Sequence, residues 1–332
     1  MDGKRRQFGP TPGSDVVNDV ERLRPWLDVL GCPDCVWGSD HGHSGSLLIA
    51  SDGLVCAGCG HRYPVVDGVV RLIGNSALPK TWDQQVAFFD GQLDSDFELN
   101  RPEAGGRFYN YLIRYKIRMA LMALGRSLAG GRVVDACCGS GMVSGLLAET
   151  SPGIRLLGFD ASSRAVWRAC QRAARRGYQF VGVVADAQYP PLRSTSDVTV
   201  VTHDALHHLE KPMDALKRLA SVGKELLVME PQQSVVTRVA VLLRISTNTE
   251  EAGNRVMRIQ PADVASVARA MKCVVAGWWR YLMYYPHQPG SSFRRLDGPF
   301  LFLVARAVFL AINATIGRIV GNKCHFVLRR RA

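Results

Sequence analysis

Two sets of residues in this chain have the types and spacing to do chemistry. The first is Cys32-Pro-Asp-Cys35 with Cys56-Ala-Gly-Cys59. Each C-x2-C pair turns two thiolates toward one point through a tight knuckle, and two knuckles complete a tetrahedral sulfur site for zinc. Four thiolates leave the metal no open position, so the zinc is expected to be structural rather than catalytic. His41, His43 and His61 are alternative ligands, but the four cysteines already satisfy the ion. The second set is VVDACCGSGMVS, Val133 to Ser144. Asp135 ends an apolar run, and Gly139-Ser140-Gly141 leads into a helical pattern. Glycines let the backbone pass close to a ligand, and a helix N-terminus presents free N–H groups to it. Cys137 and Cys138 raise the question of metal or redox chemistry inside that loop. With the upstream thiols sufficient for zinc, the pair reads as small residues packing a tight turn.

Further carboxylates follow at regular intervals. Asp160 ends the next apolar run and is placed to bind ribose hydroxyls. Asp186 ends the third, in VVADAQYPPL, where Ala187 and Tyr189 are candidates to frame an adenine ring. After the fourth run comes His203-Asp204-Ala205-Leu206-His207-His208. An imidazole titrates near neutrality, so His203 and His207 are candidate bases, with a scaffold role at the helix start as the alternative. Glu230 either touches the acceptor or caps a helix. Tyr109, Tyr285 and His287 are candidate substrate contacts, and core packing is the commoner fate of such aromatics.

The elements that position these groups alternate from Gly131 onward. Strands are predicted over 132–135, 155–160, 180–186, 197–202 and 225–230, with helices over 143–149, 163–175 and 212–221. Strand and helix repeated this way imply a parallel sheet covered on both faces, with ligands beyond the strands' carboxyl ends. A helix over 261–271, an aromatic strand CVVAGWWRYLMYYP and a last strand KCHFVLR close the chain, with an apolar helix over 299–321 inserted between them. Upstream, SGSLLIASDGLVC reads as a hairpin turning at Asp52-Gly53. Helices over 81–89 and 107–124 form a connector, packed on the next domain or serving as a lid through Phe108, Tyr109, Tyr111 and Tyr115. The expected units are an N-terminal extension (1–25), a zinc ribbon (26–74), the connector (75–124) and an α/β domain (125–332) with a helical insertion around 290–321.

The motifs D-x-x-x-G-x-G, an acidic end to the second strand and A-D-A-x-x-x-P after the third resemble the class I S-adenosylmethionine-dependent methyltransferases. Cys137 stands where that family usually has its first glycine, and the D-x-C-C-G-x-G loop is similar to that of quinone-biosynthesis methyltransferases. The pattern C-P-x-C followed by C-x-x-C-G-x-x-Y-P-V-x-D-G-V resembles the zinc ribbon in front of some methyltransferases, certain rRNA guanine methyltransferases among them. The resemblance implies an α/β Rossmann-like fold, a seven-stranded mostly parallel sheet with a small N-terminal ribbon. It implies S-adenosylmethionine as cofactor. Asp135, Cys137, Gly139 and Gly141 would line its methionine side, Asp160 and Ala161 the ribose, Asp186 and Ala187 the adenine, and His203 the rim. A nicotinamide dehydrogenase fits less well, because Ser144 occupies the third glycine position of its loop and Asp186 is left unexplained.

Composition narrows the partners. A net charge of +12 favours an anionic partner, or else reflects scattered surface arginines. L-H-H-L, Glu230-Pro231 and the apolar insertion point to a small or lipid-like acceptor, apolar or anionic. The ribbon and the charge support the alternative, an RNA base methyltransferase, although no N-P-P-Y or D-P-P-Y sequence is present. A non-catalytic relict is disfavoured by the intact set of carboxylates and glycines. Nine cysteines without a secretory signal fit a cytoplasmic, disulfide-free protein. Arg306 near the middle of the 299–321 run argues against a membrane span and leaves peripheral contact open. Oligomeric state is not legible.

Overall fold

The structure, a computed structural model, describes residues 20–38, 45–75, 78, 82–93, 95–194, 197–243, 258–286 and 288–331. His41, His43 and His287 lie outside the described residues.

The cysteine knuckles organise the first elements. α1 (Pro33–Trp37) starts with proline directly after Cys32, where a missing N–H costs nothing. β1 (Leu47–Ala50) and β2 (Gly53–Cys56) pair antiparallel across a turn at Ser51-Asp52, one residue before the predicted Asp52-Gly53. β3 (Arg62–Val66) and β4 (Val69–Arg71) form a second hairpin on that edge. The ligand atoms of Cys32, Cys35, Cys56 and Cys59 lie within 4.8 Å of one another. Cys32–Cys59 and Cys35–Cys56 sulfurs are each 3.7 Å apart. A tetrahedron with Zn–S bonds of about 2.3 Å has edges of about 3.8 Å, so this thiol set fits zinc.

The connector contributes α2 (Trp82–Gln92), α3 (Asp96–Asn100) and α4 (Arg107–Leu124). In α4 the buried positions Ile113, Ile117, Ala120 and Leu124 recur at helical spacing and face the sheet, while Phe108 and Leu112 pack in a separate cluster with Phe302 of the C-terminal insertion. The α/β half then runs β5 (Arg132–Ala136), α5 (Met142–Thr150), β6 (Arg155–Asp160), α6 (Ser163–Arg176), β7 (Phe180–Val184), β8 (Val198–His203), α7 (Pro212–Val222) and β9 (Glu225–Pro231). It closes with α8 (Val235–Leu242), α9 (Pro261–Ala270), β10 (Cys273–Tyr281), α10 (Ser291–Arg294), α11 (Pro299–Ala314), α12 (Gly317–Val320) and β11 (Lys323–Arg330). Strands such as β8 are apolar and buried on both faces, as a helix-covered parallel sheet requires.

The sheet order is β1-β2-β3-β4-β7-β6-β5-β8-β9-β11-β10. Its last seven strands are the expected mixed sheet, with β11 antiparallel to both neighbours. All seven expected strands are present, and the four ribbon strands continue the same sheet to eleven. β4 pairs parallel with β7 through Val70↔Val183, and the Leu72 N–H reaches the Val184 carbonyl at 2.8 Å. Without β4, β7 would present an unpaired edge, and the ribbon covers it.

The predicted helix over 299–321 is also revised. It stops at Ala314, where Thr315 leaves helical geometry and its hydroxyl bonds the Ala311 carbonyl at 2.8 Å. Asn313, buried, ties the helix end to the chain after β10 by accepting from Leu282 N–H at 2.7 Å and donating to its carbonyl at 3.0 Å. Among the described residues no single helix is long and apolar enough to cross a membrane.

Metal analysis is expected to return about one zinc per chain. Cys56→Ser should lose it and raise hydrogen exchange in β3 and β4 while β5 stays protected; a folded, zinc-free wild type would contradict the ribbon assignment.

Candidate active site

The loop after β5 is shaped by three left-handed residues: Cys137 at φ +59°, Gly139 at +50° and Gly141 at +75°. For a residue with a Cβ this costs about 1–2 kcal/mol, which explains why glycine is the usual occupant of position 137. A Cβ on Gly139 would meet nothing within 4 Å, so that backbone is open to a ligand. A Cβ on Gly141 would lie 2.9 Å from the Ala169 Cβ. Gly141 therefore sets the close approach of α5 to α6, and it does not line the cavity. Burial, with Asp160 beside them, pushes both the Cys137 and Cys138 thiols well above their ordinary range. They stay protonated, which suits packing and not metal or redox work.

The strand-end carboxylates hold this loop. Asp160 Oδ2 accepts the Gly139 N–H at 2.9 Å and Oδ1 accepts the Ser162 N–H at 3.0 Å. A carboxylate has about four acceptor directions, so Asp160 keeps capacity for a ligand diol. Asp135 accepts from the Ser144 hydroxyl at 2.6 Å, and burial pushes it up to about 7. Asp186 accepts the Gln188 N–H at 2.8 Å and is raised by burial. All three line one cavity of about 980 Å³ with Cys137, Gly139, Ala161, Ala187, His203, His207 and Tyr285. Tyr189 does not frame that cavity; the Arg218 guanidinium lies 4.3 Å over its ring.

At the end of β8 the chain turns through Asp204 in the left-handed region, φ +45°. Its carboxylate accepts Lys116 Nζ at 2.5 Å, Lys323 Nζ at 3.0 Å and the Tyr285 hydroxyl at 2.9 Å. Burial alone would push Asp204 up, but the two lysines hold it well below the usual carboxylate range. The same burial, then Lys116, pushes His203 well below the ordinary imidazole value. His203 is thus a neutral ring among cations and a poor proton acceptor.

Glu230 does not reach the cavity. At 1% exposure it lies beneath the loop after β8, where Oε1 accepts the N–H groups of Ala205 and Leu206 at 2.7 and 2.8 Å. Its other oxygen lies 2.7 Å from His207 Nδ1. Tyr109 also sits behind the wall: its hydroxyl accepts from Arg101 at 2.9 Å and its ring meets Tyr285 edge-on at 5.7 Å.

Sequence reasoning missed Lys116, Asp204, Lys323 and the cover. The signal was a lysine inside the apolar stripe of α4, flanked by Ile113 and Ile117. The aromatic cover comes from α2, through Trp82, Phe88 and Phe89, and not from the tyrosines of α4. Phe108, Tyr111 and Tyr115 pack instead on Phe302 and Phe309 of α11.

Residues 133–225 match the family of methyltransferase domains. Among solved structures, the chain is similar to a candidate sarcosine dimethylglycine methyltransferase from Galdieria sulphuraria, with TM-score 0.50 and 13% identity over 75% of this chain and 98% of that one. It is also similar to magnesium protoporphyrin IX methyltransferase from Synechocystis with bound S-adenosylhomocysteine, with TM-score 0.47 and 17% identity over 74% of this chain and 94% of that one.

Asp160→Ala is expected to abolish measurable S-adenosylhomocysteine binding by calorimetry without unfolding the sheet; unchanged affinity would refute the ribose assignment. Asp135 gives a pH signature of known sign. Its raised carboxyl is protonated below about 7 and favours a cationic ligand only once ionised. S-adenosylmethionine affinity should therefore rise with pH up to that point, by at most about tenfold per unit. Asp135→Asn should flatten that rise, and a rise that persists in the variant would place the titrating group elsewhere.

Proposed function

We propose that the chain, which carries a methyltransferase domain over residues 133–225 and a four-cysteine site that fits zinc, is a class I S-adenosylmethionine-dependent methyltransferase whose acceptor is a small, largely apolar molecule. The observation that carries this reading is the aromatic and aliphatic part of the cavity's lining. It includes Trp82, Phe88, Phe89, Leu93, Met283 and Tyr285, from α2, the residue after it and the chain after β10, interleaved with polar Gln85, Gln92 and Arg258. Such a surface desolvates an apolar acceptor and excludes water around it. The charged groups beside it, Asp204 with Lys116 and Lys323, leave one net positive charge, which suits an acceptor with a single polar or anionic end rather than a polyanion.

When bound, the cofactor supplies a methyl group on a sulfonium, which leaves by in-line displacement. The protein's part is alignment, desolvation and removal of the acceptor's proton. His207 lines the cavity, and buried Glu230 orients it from behind at 2.7 Å. We assign His207 as the proton acceptor and Glu230 as its positioning residue. His203 is disfavoured for that step by its depressed basicity.

Protein incubated with methyl-labelled S-adenosylmethionine and cell extract should transfer label to a low-mass, solvent-extractable product. Label recovered with precipitated RNA would overturn the reading in favour of the RNA alternative. His207→Gln should slow transfer on the order of 100-fold while leaving S-adenosylhomocysteine affinity unchanged; full activity in that variant would remove it from the mechanism.

A further inference from the structure

The rim of the sheet that carries the cavity also carries, among the described residues, the most exposed large apolar side chains. Register places Pro231, Lys323 and Tyr281 side by side at the ends of β9, β11 and β10. The segment leaving at Tyr281 and returning at Lys323 lines the cavity at its two bases, through Met283, Tyr284, Tyr285 and Asn322. Between those bases α11 and α12 expose Phe300, Leu303, Val304, Val308, Ile316 and Ile319, with Phe300 at 74% and Ile319 at 73%. From the neighbouring strand end, α8 lines the cavity with Thr237 and exposes Val235 and Leu242, the latter at 81%. Tyr284, on the cavity wall itself, is 76% exposed.

An uncovered face of this kind calls for an apolar partner. The flanking charges identify its kind. From Leu282 to Asn322 the chain has Arg294, Arg295, Arg306 and Arg318 against a single acid, Asp297. Asp297 is turned inward, accepting the Phe108 N–H at 2.9 Å. All four arginines are exposed, and Arg306 leans over Tyr111 at 5.4 Å, at the flank of the apolar face. Aliphatic residues bordered by arginines suit the boundary between acyl chains and anionic headgroups. α11 has 16 residues, so it is about 24 Å long and shorter than a bilayer's hydrocarbon core of about 30 Å. It can lie in the surface without spanning. A second copy on the same face would set arginine against arginine with no acid to answer it.

We propose that α11, α12 and α8 dock on an anionic phospholipid bilayer and hold the mouth of the cavity against it. The test is flotation of the full-length protein with phosphatidylcholine vesicles and with phosphatidylcholine–phosphatidylglycerol vesicles. Partition onto vesicles is read without turnover, so docking and acceptor identity are tested separately. The protein should float with the mixed vesicles and be released from them by salt. Arg295→Glu with Arg318→Glu should lower partition by roughly tenfold or more. Val304→Asp with Val308→Asp should abolish it, with zinc content and S-adenosylhomocysteine affinity intact as evidence of folding. Failure to float with either vesicle, or floating unaffected by the Val304→Asp and Val308→Asp changes, overturns the proposal. So does self-association in sedimentation, or retention on RNA, that replaces vesicle binding and is lost in the same variant.

Discussion

The carboxylate of Asp204 is the point at which separate parts of this chain are held to one another. Lys116 comes from the connector helix, Lys323 from the last strand and Tyr285 from the chain after β10, and all three meet it. Lys116 has 0% side-chain exposure, so neither charge tolerates loss of the other. Taking one buried charge out of water costs several kcal/mol, and only a close partner with its remaining sites satisfied offsets that. The arrangement therefore fixes α4, β8, β11 and the insertion in one relative position. Its price is local strain at Asp204, whose backbone lies in the left-handed region beside the cavity.

A second constraint is the loop after β5. It must turn sharply from β5 into α5 along the cavity wall, and the backbone does so through left-handed conformations at 137, 139 and 141. Asp160 then binds the Gly139 N–H from the adjacent strand, so the group expected to take the ribose also braces the loop beneath it. Loop and carboxylate are one unit, and their spacing along the sequence is a consequence of adjacent parallel strands. Cys137 departs from glycine at a strained position, and burial keeps its thiol protonated there.

What was legible in the sequence followed from local rules. β6 and α4 form over the residues their patterns predict, and the hairpin turns within one residue of the predicted Asp52-Gly53, because period, β-branching and turn chemistry act within a few residues. Strand-end carboxylates were legible because an α/β sheet presents them all at one rim. Non-local facts were not legible. Nothing in VVR at 69–71 says that it will cover the edge of a strand more than a hundred residues later. Nor does Glu230 announce that its two oxygens will be used up by backbone amides and His207 beneath the loop. The Lys116–Asp204 pair spans 88 residues and joins elements that only the completed sheet brings together.

The sheet order also bears on what the ribbon does. The ribbon extends the β7 edge, whereas the exposed apolar insertion rises beside β10 at the opposite edge. Its direct hold on the site is through the chain after Asp186. Trp37 donates to the Pro190 carbonyl at 2.7 Å, Gly31 N–H reaches the Pro191 carbonyl at 2.9 Å, and Leu30 bridges Leu192. That segment leads out of Ala187 and Gln188, which line the cavity. Zinc held by the four cysteines would fix the knuckles that carry Leu30 to Trp37 and so stiffen the wall expected to face the adenine. A metal with no free coordination position would thus act on the site through geometry alone.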